Sequence, residues 1–241
     1  MTNSTIETLL SHRSIRKFTA EPIPRADLET ILACGRAASS STFIQCVSIV
    51  RVTDTTKRTK LAEYAGNQPY VAECAEFLVF CADFHRHQQL VPDAKLGFTE
   101  QTLIGAVDTA LVAQNCLTAA ESMGLGGVYI GGLRNSPEQV SELLALPEHV
   151  LPLFGLCLGY PAQNPEQKPR LPLALMLHEE QYQELDQKLL SNYDEHVAAY
   201  YRARTNGQVT HSWSEQIQKT LTKEARPFMK AFLAAKGFST R

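Results

Sequence analysis

The sequence predicts an α/β or α+β sandwich. Three observations carry that expectation: strand-like segments alternate with helical ones, one long hydrophobic helix lies among them, and the tail is polar and helical without a strand. A length of 241 residues suits one well-filled domain, and 44% hydrophobic with 20% charged residues is an ordinary globular composition.

The elements follow in order. Ser4-Thr5-Ile6-Glu7 matches a capping box, so a short helix is expected from Ile6 to about Ser11, stopping at HRSIR. A second helix follows Pro24, with Leu28, Ile31 and Leu32 as its apolar stripe, and ends near Gly35 before the polar run Ser39–Thr42. VSIVRVT and EFLVFCAD are short and rich in β-branched or aromatic residues, hence strands. Between them TTKRTKLAEYAG reads as a helix closed by Gly66. FTEQTLIGAVDTALVAQNCLTAAESMG is helical throughout, apolar on more than one face, and ends at Gly124; such a helix is expected to be central and covered on most sides. GGVYIGG is a strand, Ser136-Pro137 opens a helix, LPLFGLCLG is a buried strand, and NPEQKPRLP is a proline-stiffened loop. From about Gln181 the chain becomes long amphipathic helices with a single tryptophan, Trp213.

Bulk properties narrow the function. A net charge of −2 argues against bulk nucleic-acid or anionic-membrane binding. No apolar run approaches the ~18 residues of a membrane span, and MTNSTIETLL lacks a signal-peptide layout. Six cysteines without C-x-x-C spacing read as reduced, buried thiols, so a cytoplasmic protein with no disulfide and no zinc site is expected. His85 and His87 form an H-x-H beside Arg86 without further ligands and are expected at the surface, not on a metal.

HRSIRKF, residues 12–18, concentrates charge too densely for a core and too irregularly for one solvated helix face. It is either a surface turn or a convergence of basic groups on an anion. GLGGVYIGG is not a dinucleotide fingerprint: the third glycine position falls at Tyr129, and the glycines precede the strand. The P-loop, the G-x-S-x-G elbow and the H-E-x-x-H pair are all missing. Gly131 and Gly132 permit a flat ligand to approach the backbone closely, or simply form a tight turn. Lys168 and Arg170 add a second basic pair in KPRLP. Guanidinium, ammonium and hydroxyl donors with backbone amides beside glycine suit a dianionic phosphate carried by an aromatic cofactor.

HRSIRKFT, ASSSTFIQC, AGNQPYV, EFLVFCADFHRH, AAESMGLGGVYIGGLRN, LPLFGLCLGYP, NPEQKPRLP, SNYDEHVAAYYRAR and KEARPF run from near the N-terminus into the tail. With these stretches the chain resembles the FMN-dependent family of oxygen-insensitive NADPH nitroreductases and NADPH–flavin oxidoreductases. The resemblance implies an α+β sandwich with a central mixed sheet flanked by helices. It also implies an FMN-binding core over 1–175 and, over 176–241, a helical extension packing on the core and the partner subunit, all within one structural domain. A cytoplasmic homodimer with FMN at the subunit interface is implied, holding FMN tightly without a covalent link.

Carried over by position, His12, Arg13, Ser14, Lys168 and Arg170 surround the phosphate and ribityl chain, and Arg16 faces the flavin N1/O2 edge. Ser40, Thr42, Gln68 and Tyr70 contact the ribityl and pyrimidine portions, while Tyr129, Ile130, Gly131 and Gly132 line the ring. Family members often carry serine where Thr42 stands. Arg204 in YYRARTNG is placed at the 2′-phosphate of NADPH, with Arg134 and Arg226 as secondary candidates. No side chain is expected to act as a catalytic nucleophile or acid, and no metal is expected. The implied activity is two-electron ping-pong reduction of nitroaromatics, and of quinones or free flavin, by NADPH. The alternative is an NADPH–flavin reductase supplying reduced FMN to a partner oxygenase.

Overall fold

A computed structural model describes residues 3–241. Helix α1 (Ser4–Leu10) begins two residues before the expected Ile6, because the Asn3 side chain, one residue ahead of the predicted Ser4 cap, accepts the Ile6 N–H at 3.0 Å. Asparagine is as good an N-cap as serine, and here it lies nearer the turn. There follow α2 (Arg25–Arg36), β1 (Val47–Val52), α3 (Thr55–Tyr64), α4 (Tyr70–Glu73), β2 (Glu76–Asp83), α5 (His85–Leu90), α6 (Thr99–Ser122), β3 (Gly126–Ile130), α7 (Pro137–Leu143) and β4 (Val150–Gly159). Gly66 and Gly124, at φ +89° and +82°, close α3 and α6 as their positions in the sequence predict.

The strands form one sheet in the order β1-β2-β4-β3. Every pair is antiparallel, so among the described residues the sheet is not the mixed one expected, although the sandwich class holds. All eight residues of β2 are buried, and their alternation feeds two cores. Phe77, Val79 and Cys81 pack with Leu61, Val71, Leu133 and Val140 on one face. Leu78 and Phe80 pack with Leu28, Ile31, Ala113, Cys116 and Leu117 of α2 and α6 on the other. Each fully buried side chain of this size contributes about 1.5–3 kcal/mol.

Helix α6 departs from expectation in two ways. It is long and apolar enough, by length and composition, to cross a bilayer, contrary to the expectation that no apolar run approaches that length. It is also covered on one side only: Ala113, Cys116, Leu117 and Ala120 are buried, whereas Leu103, Val107 and Leu111 are 58%, 57% and 43% exposed. Those three lie four residues apart and form a continuous apolar stripe. All six cysteines are free; five are buried as predicted, but Cys34 on α2 is exposed.

The chain divides into two compact units. The first runs to Pro165 and resumes at Arg226–Arg241; the second is Glu166–Ala225. The second unit contains α8 (Gln187–Arg204), capped by Asp186, and α9 (Trp213–Leu221), opened by a Ser212/Glu215 capping box. Tyr193 packs edge-on to Trp213 at 5.8 Å and donates to the Pro169 carbonyl at 3.3 Å. Helix α10 (Met229–Ala235) belongs to the first unit, where Phe232 and Phe238 join Cys46, Ala82, Phe84 and Leu151.

Candidate functional site

The predicted site residues of the first unit gather at two opposite edges of the sheet. At the β3 edge, Tyr129 and Ile130 end the strand and Gly131–Asn135 turns into a short 3₁₀ segment. A Cβ on Gly132 would collide with the Ala65 carbonyl oxygen and Gln68 Nε2. That glycine is therefore required by the protein's own packing, in addition to the ligand approach or tight turn that the sequence left open. Gln68 Nε2 donates to Ala65 O and Tyr70 OH donates to Gln68 Oε1, both at 2.5 Å. Gln68, Tyr70 and the 129–132 turn are thus one locked unit.

HRSIR lies at the same edge. The Ile15 N–H donates to Gly127 O of β3 at 2.9 Å, and the Ile15 side chain is buried, which fixes the intervening polar residues outward. His12 Nδ1 meets Glu121 Oε1 of α6 at 2.6 Å. Arg13 reaches the Pro165 carbonyl at 3.4 Å beside a cavity of about 210 Å³. Arg16 is exposed and has no carboxylate partner among the described residues. Tyr129 OH donates to Gln114 Oε1 of α6 at 3.4 Å, and burial raises its phenol pKa, which keeps it protonated.

Ser40 and Thr42 are elsewhere. They lie in the loop leading into β1, three strands from β3, hence roughly 14 Å across the sheet. Ser40 Oγ donates to Asp108 Oδ2 at 2.6 Å and accepts the Gln45 N–H at 2.7 Å; Ser41 N–H donates to Asp108 Oδ1 at 3.2 Å. Asp108, 2% exposed on α6, was not singled out in the sequence. Its signal was present: a lone carboxylate inside LIGAVDTALV must find partners if that helix is packed. Burial and the neighbouring Asp108 push the Cys46 thiol up to about 12, so it stays protonated. Thr42, Phe43 and Gln45 have φ of 50°, 59° and 52°, the left-handed region that β-branched and aromatic residues avoid. His87 Nε2 donates to the Ile44 carbonyl at 2.6 Å, which gives that histidine a role in holding the loop.

Helix α6 bonds to both groups of residues. Gln114 and Glu121 are seven residues apart and share one side of the helix, about 20° out of line, whereas Asp108 stands on a different side. Asp108 and Glu121 are separated by roughly 20 Å along the axis. One chain thus carries the basic HRSIR segment at one edge and the Ser40–Gln45 loop at the other.

Lys168, Arg170 and Arg204 are in the second unit. Lys168 Nζ lies 5.3 Å from the Tyr201 ring centroid, Arg170 is exposed, and Arg204 at the end of α8 donates to Tyr200 OH at 3.1 Å. The secondary candidates are both engaged: Arg134 donates to Leu153 O, and Arg226 to Asn135 Oδ1 at 3.0 Å.

Cationic and hydroxyl side chains at the edges of an antiparallel α+β sandwich offer donors to an anionic cofactor. Residues 9–160 match the model of the nitroreductase family and residues 168–241 that of the nitroreductase family C-terminal domain. The chain is 58% identical over 237 residues to an oxygen-insensitive NADPH nitroreductase of Salmonella typhimurium, covering 98% of this chain and 99% of the relative. It is also 58% identical over 239 residues to an NADPH-flavin oxidoreductase of Vibrio harveyi, covering 99% and 100%. The crystal structure of nitroreductase A from Vibrio parahaemolyticus superimposes with a TM-score of 0.95 at 54% identity, over 100% of both chains. The chain belongs to the nitroreductase family.

Proposed function

We propose that the protein is a cytoplasmic, FMN-dependent NADPH oxidoreductase that reduces nitroaromatics, and quinones or free flavin, by two-electron ping-pong transfer. The residues present fit a flavin phosphate and ring. Arg16 is a guanidinium with no local carboxylate to neutralise it, Arg13 is tied only to a carbonyl, and Ser14 is half-buried beside them. FMN bound there would supply the hydride chemistry. Arg16 would stabilise negative charge gathering at the N1/O2 edge, and the locked Gln68–Tyr70 and Tyr129–Gly132 segments would orient the ring without rearrangement. Lys168 and Arg170 would join His12, Arg13 and Ser14 at the phosphate and ribityl chain. Arg204, on an exposed helix end, would read the NADPH 2′-phosphate.

The observation that carries this reading is the division of the site residues between the two sheet edges. One chain does not gather them, so two copies supply one site: Ser40 and Thr42 of one protomer complete the clamp of its partner. The exposed Leu103, Val107 and Leu111 stripe of α6 supports a homodimer. We place the FMN-binding core in residues 1–175 and a helical extension that covers the partner in 176–241.

Complementation tests the arrangement. Chains carrying Arg16→Ala and chains carrying Ser40→Ala with Thr42→Ala, each poor at holding FMN alone, should regain one intact site per mixed dimer. If clamp and loop of one site came from one chain, mixing would restore nothing. The purified protein should be yellow, and NADPH should bleach it anaerobically. Arg204→Ala should raise the KM for NADPH while sparing NADH, as loss of a uniform binding contact does. Release of free reduced FMN in steady state, with little nitro turnover, would favour the flavin-reductase role instead.

A further inference from the structure

We infer that Asp108 is a positioning residue that holds the Ser40–Gln45 loop in its cofactor-facing conformation, acting through Ser40. The inference rests on the reading that Ser40 and Thr42 face FMN.

Packing holds this loop only on its exit side, where Ile44 leans on the Cys46, Ala82 and Phe84 cluster. Phe43 at its tip is 80% exposed, and the two ends of the loop, Ser40 and Gln45, border a cavity of about 430 Å³ together with Ser39, Asp108 and Val112. Three of its residues stand in the left-handed region, each disfavoured by about 1–2 kcal/mol for a side chain other than glycine. A strained segment beside a cavity keeps one shape only if directional bonds over-determine it. Asp108 provides them. Both its oxygens accept from the loop, from Ser40 Oγ at 2.6 Å and Ser41 N at 3.2 Å, and Ser40 Oγ then accepts the Gln45 N–H at 2.7 Å. That relay ends on a residue with φ 52°, so one buried carboxylate fixes the start and the end of the bend.

The aspartate is also rigidly mounted. It lies mid-helix in α6, 2% exposed, with neighbours Thr109 and Gly105 buried. His87 secures the far side through the Ile44 carbonyl, but its bond reaches neither Ser40 nor Thr42. Asp108→Asn keeps the shape and turns one acceptor into a donor that faces donors. The loop should then relax toward ordinary φ and withdraw the Ser40 and Thr42 hydroxyls.

The test is FMN affinity of the full-length protein, read by flavin fluorescence during titration of the flavin-stripped form, with thermal melting of that stripped form alongside. Asp108→Asn and Ser40→Ala should each raise the Kd about tenfold, as loss of a hydrogen bond to a charged group does. The double variant should be no worse than the poorer single one, because both remove one bond. Gln45→Gly, which relieves the left-handed strain, should restore part of the affinity in the Asp108→Asn background. A merely structural aspartate would lower the melting temperature, leave the Kd within twofold, and gain nothing from Gln45→Gly. That result, or additive losses in the double variant, overturns the inference while Ser40→Ala still upholds the site reading. If Ser40→Ala and Thr42→Val leave the Kd untouched while Arg16→Ala raises it, the loop is not part of the site and the inference falls with that reading. Should Asp108→Asn fail to fold, rescue of Ser40→Ala by Gln45→Gly decides the matter, since the same relay is cut from its other end.

Discussion

At the β3 edge, the segment from Ala65 to Tyr70 is pressed against Gly132 so tightly that no Cβ fits. Its polar groups are neutral and bond to one another at 2.5 Å. At the β1 edge, the loop from Ser40 to Gln45 borders a cavity, bends through left-handed residues, and is tied by charged groups and a histidine. Both regions present groups to the same cofactor in our reading, yet one gets its shape from close packing and the other mainly from hydrogen bonds. Packing resists change of volume and ignores pH. Hydrogen bonds to carboxylates tolerate volume and respond to charge.

The largest way to break the contrast is Gly132→Ala. The added methyl meets the Ala65 carbonyl, which is backbone and cannot swing aside, so a cost of about 1–3 kcal/mol is expected. Calorimetry should show a melting temperature lower by several degrees, with FMN retention reduced as well. Full stability would mean that the β3 edge is as pliable as the loop.

Acid should separate the two regions next. Burial raises Asp83, but hydrogen bonds from Ser48 Oγ and the Arg86 N–H, with the Arg86 charge, outweigh it and hold the carboxyl below its ordinary 3.8. A depressed folded value contributes stability that is complete above 3.8 and is lost as pH falls through the lower folded value. Asp83 also donates its N–H to Cys46 O at the end of the loop, so the β1 edge should loosen first in acid. Asp83→Asn should cost about 1.5–3 kcal/mol near neutrality and flatten the pH profile below about pH 4. An unchanged profile in that variant would remove Asp83 from the account.

The smallest effect sharpens the comparison from the packed side. Tyr70→Phe deletes one neutral hydrogen bond and leaves Gln68 held by Ala65, so about 0.5–1.5 kcal/mol is expected. The melting temperature should fall by only a few degrees and show no pH dependence. A pH-dependent loss would reveal a charged group at that edge.

Much of the architecture was legible because it is local. EFLVFCAD is β2 residue for residue, and the glycines that end α3 and α6 stand where the apolar period stops. What depended on distant partners was not. Apolar composition says that α6 must be covered, but not by what, so its exposed Leu103–Leu111 stripe came from the structure. Strand direction is likewise a property of pairs, and the expected mixed sheet proved antiparallel among the described residues. The basic residues that we propose as the clamp stand out by charge density in HRSIRKF. Asp108 was overlooked because one carboxylate in an apolar run shows its importance only when its three loop partners fold onto it.

Helix α6 carries Asp108 for the loop, Gln114 for Tyr129 and Glu121 for His12. Each residue of an α-helix turns the chain by about 100° and advances it by about 1.5 Å. Inserting or deleting a single residue between Asp108 and Glu121 would swing one anchor a quarter-turn or more away from its client while the helix itself stayed intact. Descendants of this gene can therefore lengthen or trim the surface loops freely. Between positions 108 and 121 they can change letters, but not the count.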